Sequence, residues 1–194
     1  MKKLLLISYL SIFSLSLIAQ EYKAYEVSAE NPFGLLNPDA PKEVADYAPL
    51  IGICDCVSES RKQDQTWAEP VQMTWKFKYI MNGQAVQDET VKEDGTYSGS
   101  IRQFNADSSK WYVHYYSKAS AAARLPAWEG GKVDDKIILY MEQKAPNGMD
   151  GSYKISFYDI SEEGFKWLGE WVNVGETFSF PTWKISCTKR KAER

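Results

Sequence analysis

The chain has 194 residues and a formal net charge of −3 at neutral pH, enough for one domain with a substantial core. Its mildly acidic balance, without a basic stripe, argues against nucleic acid or an anionic membrane as a partner. Seven Trp, twelve Tyr and eight Phe make it rich in aromatics, which favour strands and supply large contact areas to cores and pockets.

The segment MKKLLLISYLSIFSLSLIAQ (residues 1–20) carries Lys2 and Lys3, an uncharged apolar run from Leu4, and the small residue Ala19 near its exit. That is the pattern of a signal peptide cleaved after Ala19 or Gln20. The apolar run is short for a spanning helix and has no basic stop-transfer flank. The expected localisation is secreted or periplasmic, with no membrane association after cleavage. Residues 21–48 hold no sheet pattern, and NPFGLLNPDAP within them reads as a loop. A short helix to about Tyr47 follows, with Asp39 or Asn37 placed to cap it and Pro41 in its first turn, covering one end of the fold.

A first strand is expected over Leu50–Arg61, with Gly52, Cys54 and Cys56 on one side. Three cysteines in an exported chain imply one disulfide and one remaining thiol. Cys54 and Cys56, at i and i+2, share a face, and Cys187 lies in the last strand-like run. One of the pair is therefore expected to bridge to Cys187 and staple first strand to last. A three-thiolate metal site is the alternative, though the C-x-x-C spacing of structural zinc sites is missing.

The clearest signal runs from Val71 to Val91. Met73, Trp75, Phe77, Tyr79 and Met81 alternate with Thr74, Lys76 and Lys78, the period of a half-buried strand. Asn82-Gly83 then marks a type I′ hairpin. That register sets Tyr79 opposite Val86, Phe77 opposite Asp88 and Trp75 opposite Thr90, so Asp88 lies among inward aromatics. A carboxylate there needs a partner.

KEDGTYSG reads as a turn, followed by strands over Ser100–Asn105 and Trp111–Ser117. Further strands are expected around Trp128 and in KIILYMEQK, SYKISFYDI, FKWLGEWVN and TFSFPTWKISCTKR. About ten short strands at hairpin spacing, with no long helix between them, predict sequential antiparallel pairing. The barrel domain spans residues 49–190, and residues 191–194 form a basic tail.

Four pieces of the chain carry a family likeness: the Gly52-containing first strand; Trp75 to Asp88; Ser100-Ile-Arg102-Gln-Phe104 followed by Trp111; and Phe165-Lys-Trp167. Over about Leu50–Arg190 the sequence resembles the bacterial lipocalin-like domains of unknown function in the calycin group. The resemblance implies an all-β, up-and-down antiparallel barrel with a central cavity for small, often hydrophobic molecules. It departs from that pattern where Cys54 stands at the position of a Trp that usually seals the barrel floor. Val174-Gly-Glu-Thr177-Phe178 likewise alters the family's last turn.

The family-like order turns Arg102 and Phe104 inward, with Trp111 across the turn from Phe104. Arg102 then reaches Asp88, as a structural ion pair or with donors left over to orient a polar or anionic ligand group. The expected ligand-binding set is Trp75, Phe77, Tyr79, Asp88, Arg102, Phe104, Trp111 and Trp167, with Trp183 a further candidate. His114, the single histidine, would have to face inward to ligate haem iron or act as a base. Alternation from an inward Trp111 sends it outward.

No catalytic triad, phosphate-cradling loop or EF-hand is legible, and Asp134-Asp135 and Asn147–Gly151 read as turns. No cofactor or metal is implied. The function expected is an exported barrel that binds a small hydrophobic or amphiphilic molecule. The alternative is an enzyme acting through Asp88 and Arg102.

Overall fold

The computed structural model describes residues 23–191, so the proposed signal peptide and most of the basic tail lie outside the described residues. Ten strands follow one another: β1 (Gly52–Ser60), β2 (Val71–Ile80), β3 (Ala85–Lys92), β4 (Tyr97–Asn105), β5 (Lys110–Ser117), β6 (Ala127–Val133), β7 (Lys136–Glu142), β8 (Gly151–Ser161), β9 (Gly164–Asn173) and β10 (Ser179–Lys189). Each pairs antiparallel with the next, and β10 returns to β1, closing an up-and-down barrel. Closure leaves no free sheet edge.

The β2–β3 hairpin has the expected register, with Tyr79 opposite Val86, Phe77 opposite Asp88 and Trp75 opposite Thr90. Met81 joins Asn82 and Gly83 at positive φ, a strained conformation for a long side chain. The amino-terminal segment clamps this turn. Tyr25 N donates to Asn82 Oδ1 at 3.0 Å, Asn82 N to Glu26 Oε1 at 2.7 Å, and Asn37 Nδ2 to Asn82 O at 3.0 Å. A Cβ on Gly83 would meet Leu35 O at 2.3 Å, so the turn needs glycine both for its φ and for this close approach.

The helix differs from expectation. It is a 3-10 helix over Lys42–Leu50 that starts after Pro41, without a side-chain cap, and it takes Leu50 from the expected first strand. Asn37 and Asp39 do not cap it because Asn37 Oδ1 accepts from the backbone N of Asp39, at 2.8 Å, while its Nδ2 holds the hairpin turn. Val44, Tyr47 and Leu50 are fully buried, and each such side chain contributes about 1.5–3 kcal/mol of burial. Tyr47 stands edge-on to Trp111, with ring centroids 4.8 Å apart, and to Phe157 at 6.2 Å. Trp111 Nε1 donates to Asp46 Oδ2 at 3.2 Å. The helix thereby plugs one end of the barrel.

The seam between first and last strand carries the disulfide, which joins Cys56 and Cys187. Register makes the choice: Cys56 stands opposite Cys187, whereas Cys54 stands opposite Lys189. Cys54 is buried as a free thiol. Beside the seam, Arg190 grips Asp55 through Nη2 at 2.6 Å and Nε at 2.9 Å. β4 begins at Tyr97 rather than Ser100, because Tyr97 and Ser98 still pair with Val91 and Thr90. A bulge between Pro181 and Trp183 accommodates a proline that cannot donate to the ladder.

Candidate functional site

Inward positions of β2 to β6 fall into rows. One row runs Phe77, Asp88, Ser100, Tyr115, and the next runs Tyr79, Val86, Arg102, Val113, Trp128. Asp88 and Arg102 are therefore diagonal neighbours, within reach of a long side chain. Arg102 Nη1 donates to Asp88 Oδ1 at 2.5 Å, Ser100 Oγ donates to the same oxygen, and Trp75 Nε1 donates to Oδ2 at 2.6 Å. Both charged residues are only 3% exposed.

Arg102 also lies against aromatic rings. Its guanidinium carbon is 5.2 Å from the ring centres of Tyr47 and Phe77 and 5.7 Å from that of Phe157, distances at which ring faces attract a cation. Burial, the largest single influence, would lower the pKa of Arg102, but the Asp88 carboxylate and the Tyr47 phenol together outweigh it and raise the pKa, so the group is held charged. Burial pushes the Tyr47 phenol up to about 12. Tyr47 Oη, Arg102 Nε and Trp128 Nε1 are buried without a hydrogen-bond partner among the described residues.

Above this floor the barrel is hollow. A cavity of about 330 Å³ is lined by Trp75, Trp128, Trp167 and Trp183, with Met73, Leu139, Ile155 and Phe157 filling the spaces between the rings. Trp167 and Trp183 meet edge to face at 5.3 Å, and Trp183 Nε1 donates to Ser58 Oγ at 2.8 Å. Lys92 lines the cavity with its ammonium 4.8 Å from the centre of the Trp183 ring. Asp88, Lys92 and Arg102 are the charged residues of the lining. An apolar chamber with few convergent polar groups is the usual form of a small-molecule site.

Of the residues singled out from the sequence, Trp75, Asp88, Arg102, Trp167 and Trp183 line the cavity. Phe77, Tyr79, Phe104 and Trp111 point inward too, but they belong to the packed end under the 3-10 helix, where Phe104 and Trp111 meet at 5.7 Å. Ser100, Trp128, Tyr115 and Tyr153 also line the cavity and were not among the expected ligand contacts. Ser100 had a signal, since it lies two residues before Arg102 and shares its face. His114 pairs with Ile101 and Ala127 on the outer face, between inward Val113 and Tyr115.

Fold and site together define a closed ten-strand antiparallel barrel with an aromatic internal chamber. Among solved structures, the crystal structure of Rv2717c from M. tuberculosis is similar, with a TM-score of 0.52 and 11% identity, over 79% of this chain and 100% of that one. At that identity the likeness concerns the barrel fold alone. No model of a known protein family matches the chain, and no curated protein sequence does.

Proposed function

We propose that this protein is an exported, lipocalin-like barrel of the calycin type that binds a small hydrophobic or amphiphilic molecule in its central cavity. The observation that carries the reading is the chamber of about 330 Å³ walled by four tryptophans and floored by the buried Asp88–Arg102 pair. Its walls give a ligand apolar contact worth about 25 cal/mol per Å² removed from water, and its floor gives orientation. Export to an oxidising compartment is supported by the Cys56–Cys187 bridge, since such bonds persist outside the reducing cytosol.

An enzymatic role for Asp88 would need a carboxylate free to take a proton. Both of its oxygens already accept hydrogen bonds, from Trp75 on one side and from Ser100 and Arg102 on the other, which favours binding over catalysis. Native mass spectrometry of protein purified from its own host tests the proposal. A single co-purifying small molecule, released on denaturation, is the supporting result. Protein that carries no such mass and takes up no apolar probe contradicts it.

A further inference from the structure

The floor of the cavity is unequal in its hydrogen-bonding groups. Arg102 makes one side-chain hydrogen bond among the described residues, from Nη1 to Asp88, and its Nε is buried without a partner. A guanidinium is a fork of N–H donors with no acceptor. Trp128 Nε1, another pure donor, is also buried and unpartnered, and its ring lines the same cavity. Arg102 stands opposite Val113, and Val113 opposite Trp128, so the two donors rise from one row about 10 Å apart at the backbone. Both residues line the same cavity, Arg102 against Tyr47 and Phe77 and Trp128 against Tyr115 and Tyr153.

The carboxylate and hydroxyl acceptors of Asp88, Thr90 and Ser98 in the lining are engaged by contrast, and the Tyr47 phenol, which lies against Arg102, is outside the lining. Asp88 already takes three hydrogen bonds of the roughly four a carboxylate accommodates. Thr90 and Ser98 are hydrogen-bonded to each other, at 2.6 Å. The charge of Arg102 is likewise matched by Asp88.

We propose that the cavity selects uncharged molecules bearing a carbonyl-type acceptor, such as a ketone, ester or amide, with the oxygen held by Arg102 and Trp128. The inference rests on the binding-barrel reading above and names the ligand class of that same site. An acceptor relieves buried donors that an apolar group leaves unpaired. A carboxylate offers the same oxygen but brings a second negative charge beside Asp88, in a space where like charges repel strongly. Lys92 does not reverse this preference, because it lies part-exposed against Trp183, where solvent screens a bound anion.

The test is competition against Nile red by acetylnaphthalene, naphthoate and ethylnaphthalene, substituted at the same ring position, near neutral pH. Acetylnaphthalene should displace the dye about tenfold more effectively than either of the others. Trp128→Phe keeps an aromatic ring and removes the N–H, so whatever it costs in shared apolar contact, it should lower the acetyl-to-ethyl ratio several-fold. Asp88→Asn frees the charge of Arg102 and should shift the preference toward naphthoate by about tenfold. If that variant does not fold, Trp128→Phe and the wild-type series still decide the matter. Equal displacement by acetyl- and ethylnaphthalene, or stronger displacement by naphthoate, in a protein that binds Nile red would overturn the carbonyl preference alone. Failure of Nile red itself to bind would overturn the binding-barrel reading, and this inference with it.

Discussion

Asp88 and Arg102 form an ion pair on diagonal positions of β3 and β4, 2.5 Å between Oδ1 and Nη1, inside a barrel where each is almost wholly removed from water. Three donors on one carboxylate and three aromatic rings around one guanidinium over-determine the arrangement. Removing either partner alone leaves a buried charge without its match.

Arg102→Ala should therefore destabilise the protein by about 3–5 kcal/mol. Adding Asp88→Asn should recover part of that loss, with a coupling of about 1–3 kcal/mol between the sites. Urea titrations of the two single variants and the double variant measure the coupling directly. Additive losses would mean that the pair contributes nothing as a pair.

The Cys56–Cys187 bridge joins strands that begin and end the barrel, at a sequence separation of 131. Replacing both cysteines by Ala should cost about 2–4 kcal/mol, read as a lower denaturation midpoint. Peptide mapping without reductant should find this bond and leave Cys54 free, unmodified by iodoacetamide until the barrel unfolds. A Cys54–Cys187 peptide would require a β1–β10 register two residues away from the one described.

Burial pushes the Cys54 thiol up to about 11 and the Tyr47 phenol up to about 12. Above pH of about 9, where a solvated thiol loses its proton, the unfolded chain deprotonates before the folded one. The folded state then holds more protons, so unfolding free energy declines as pH rises. Stability should be level from about pH 7 to 9 and fall through the window that ends near the two folded values. Cys54→Ala should remove part of that slope, and an unchanged slope would assign the loss elsewhere.

His114 lies on the outer face of β5, so the chamber does not present it to a bound ring system. Mixing the protein with haem should give no Soret shift that depends on this residue. A stoichiometric band abolished by His114→Ala would overturn the register of β5 together with this account.

Much of the barrel was legible because antiparallel pairing propagates. Asn82-Gly83 sets one hairpin, whose register puts Asp88 opposite Phe77, while the inward side of Arg102 on the next strand was legible only through the family likeness and agrees with the β3–β4 register. Which cysteine meets Cys187 was not legible, since Cys54 and Cys56 share a face and only the β1–β10 register, set after a full circuit and the bulge between Pro181 and Trp183, separates them. Depth was the other missing quantity. Alternation gives Phe77, Tyr79 and Trp111 the same face as Trp75 and Trp167, but it does not say where along the barrel the 3-10 helix stops and the hollow begins. That boundary depends on Tyr47 and Leu50, whose helix lacks the side-chain cap that would mark its start.

The claim that a ligand occupies the chamber is tested most directly by a Nile red titration of the wild type beside Ile155→Trp, a change that puts a larger side chain into the cavity that Ile155 lines. The wild type should bind one equivalent with transfer from tryptophan to the dye, and the filled variant, still folded by circular dichroism, should lose most of that affinity. Saturable binding that survives the filled chamber unchanged, or no saturable binding by the wild type, would contradict it.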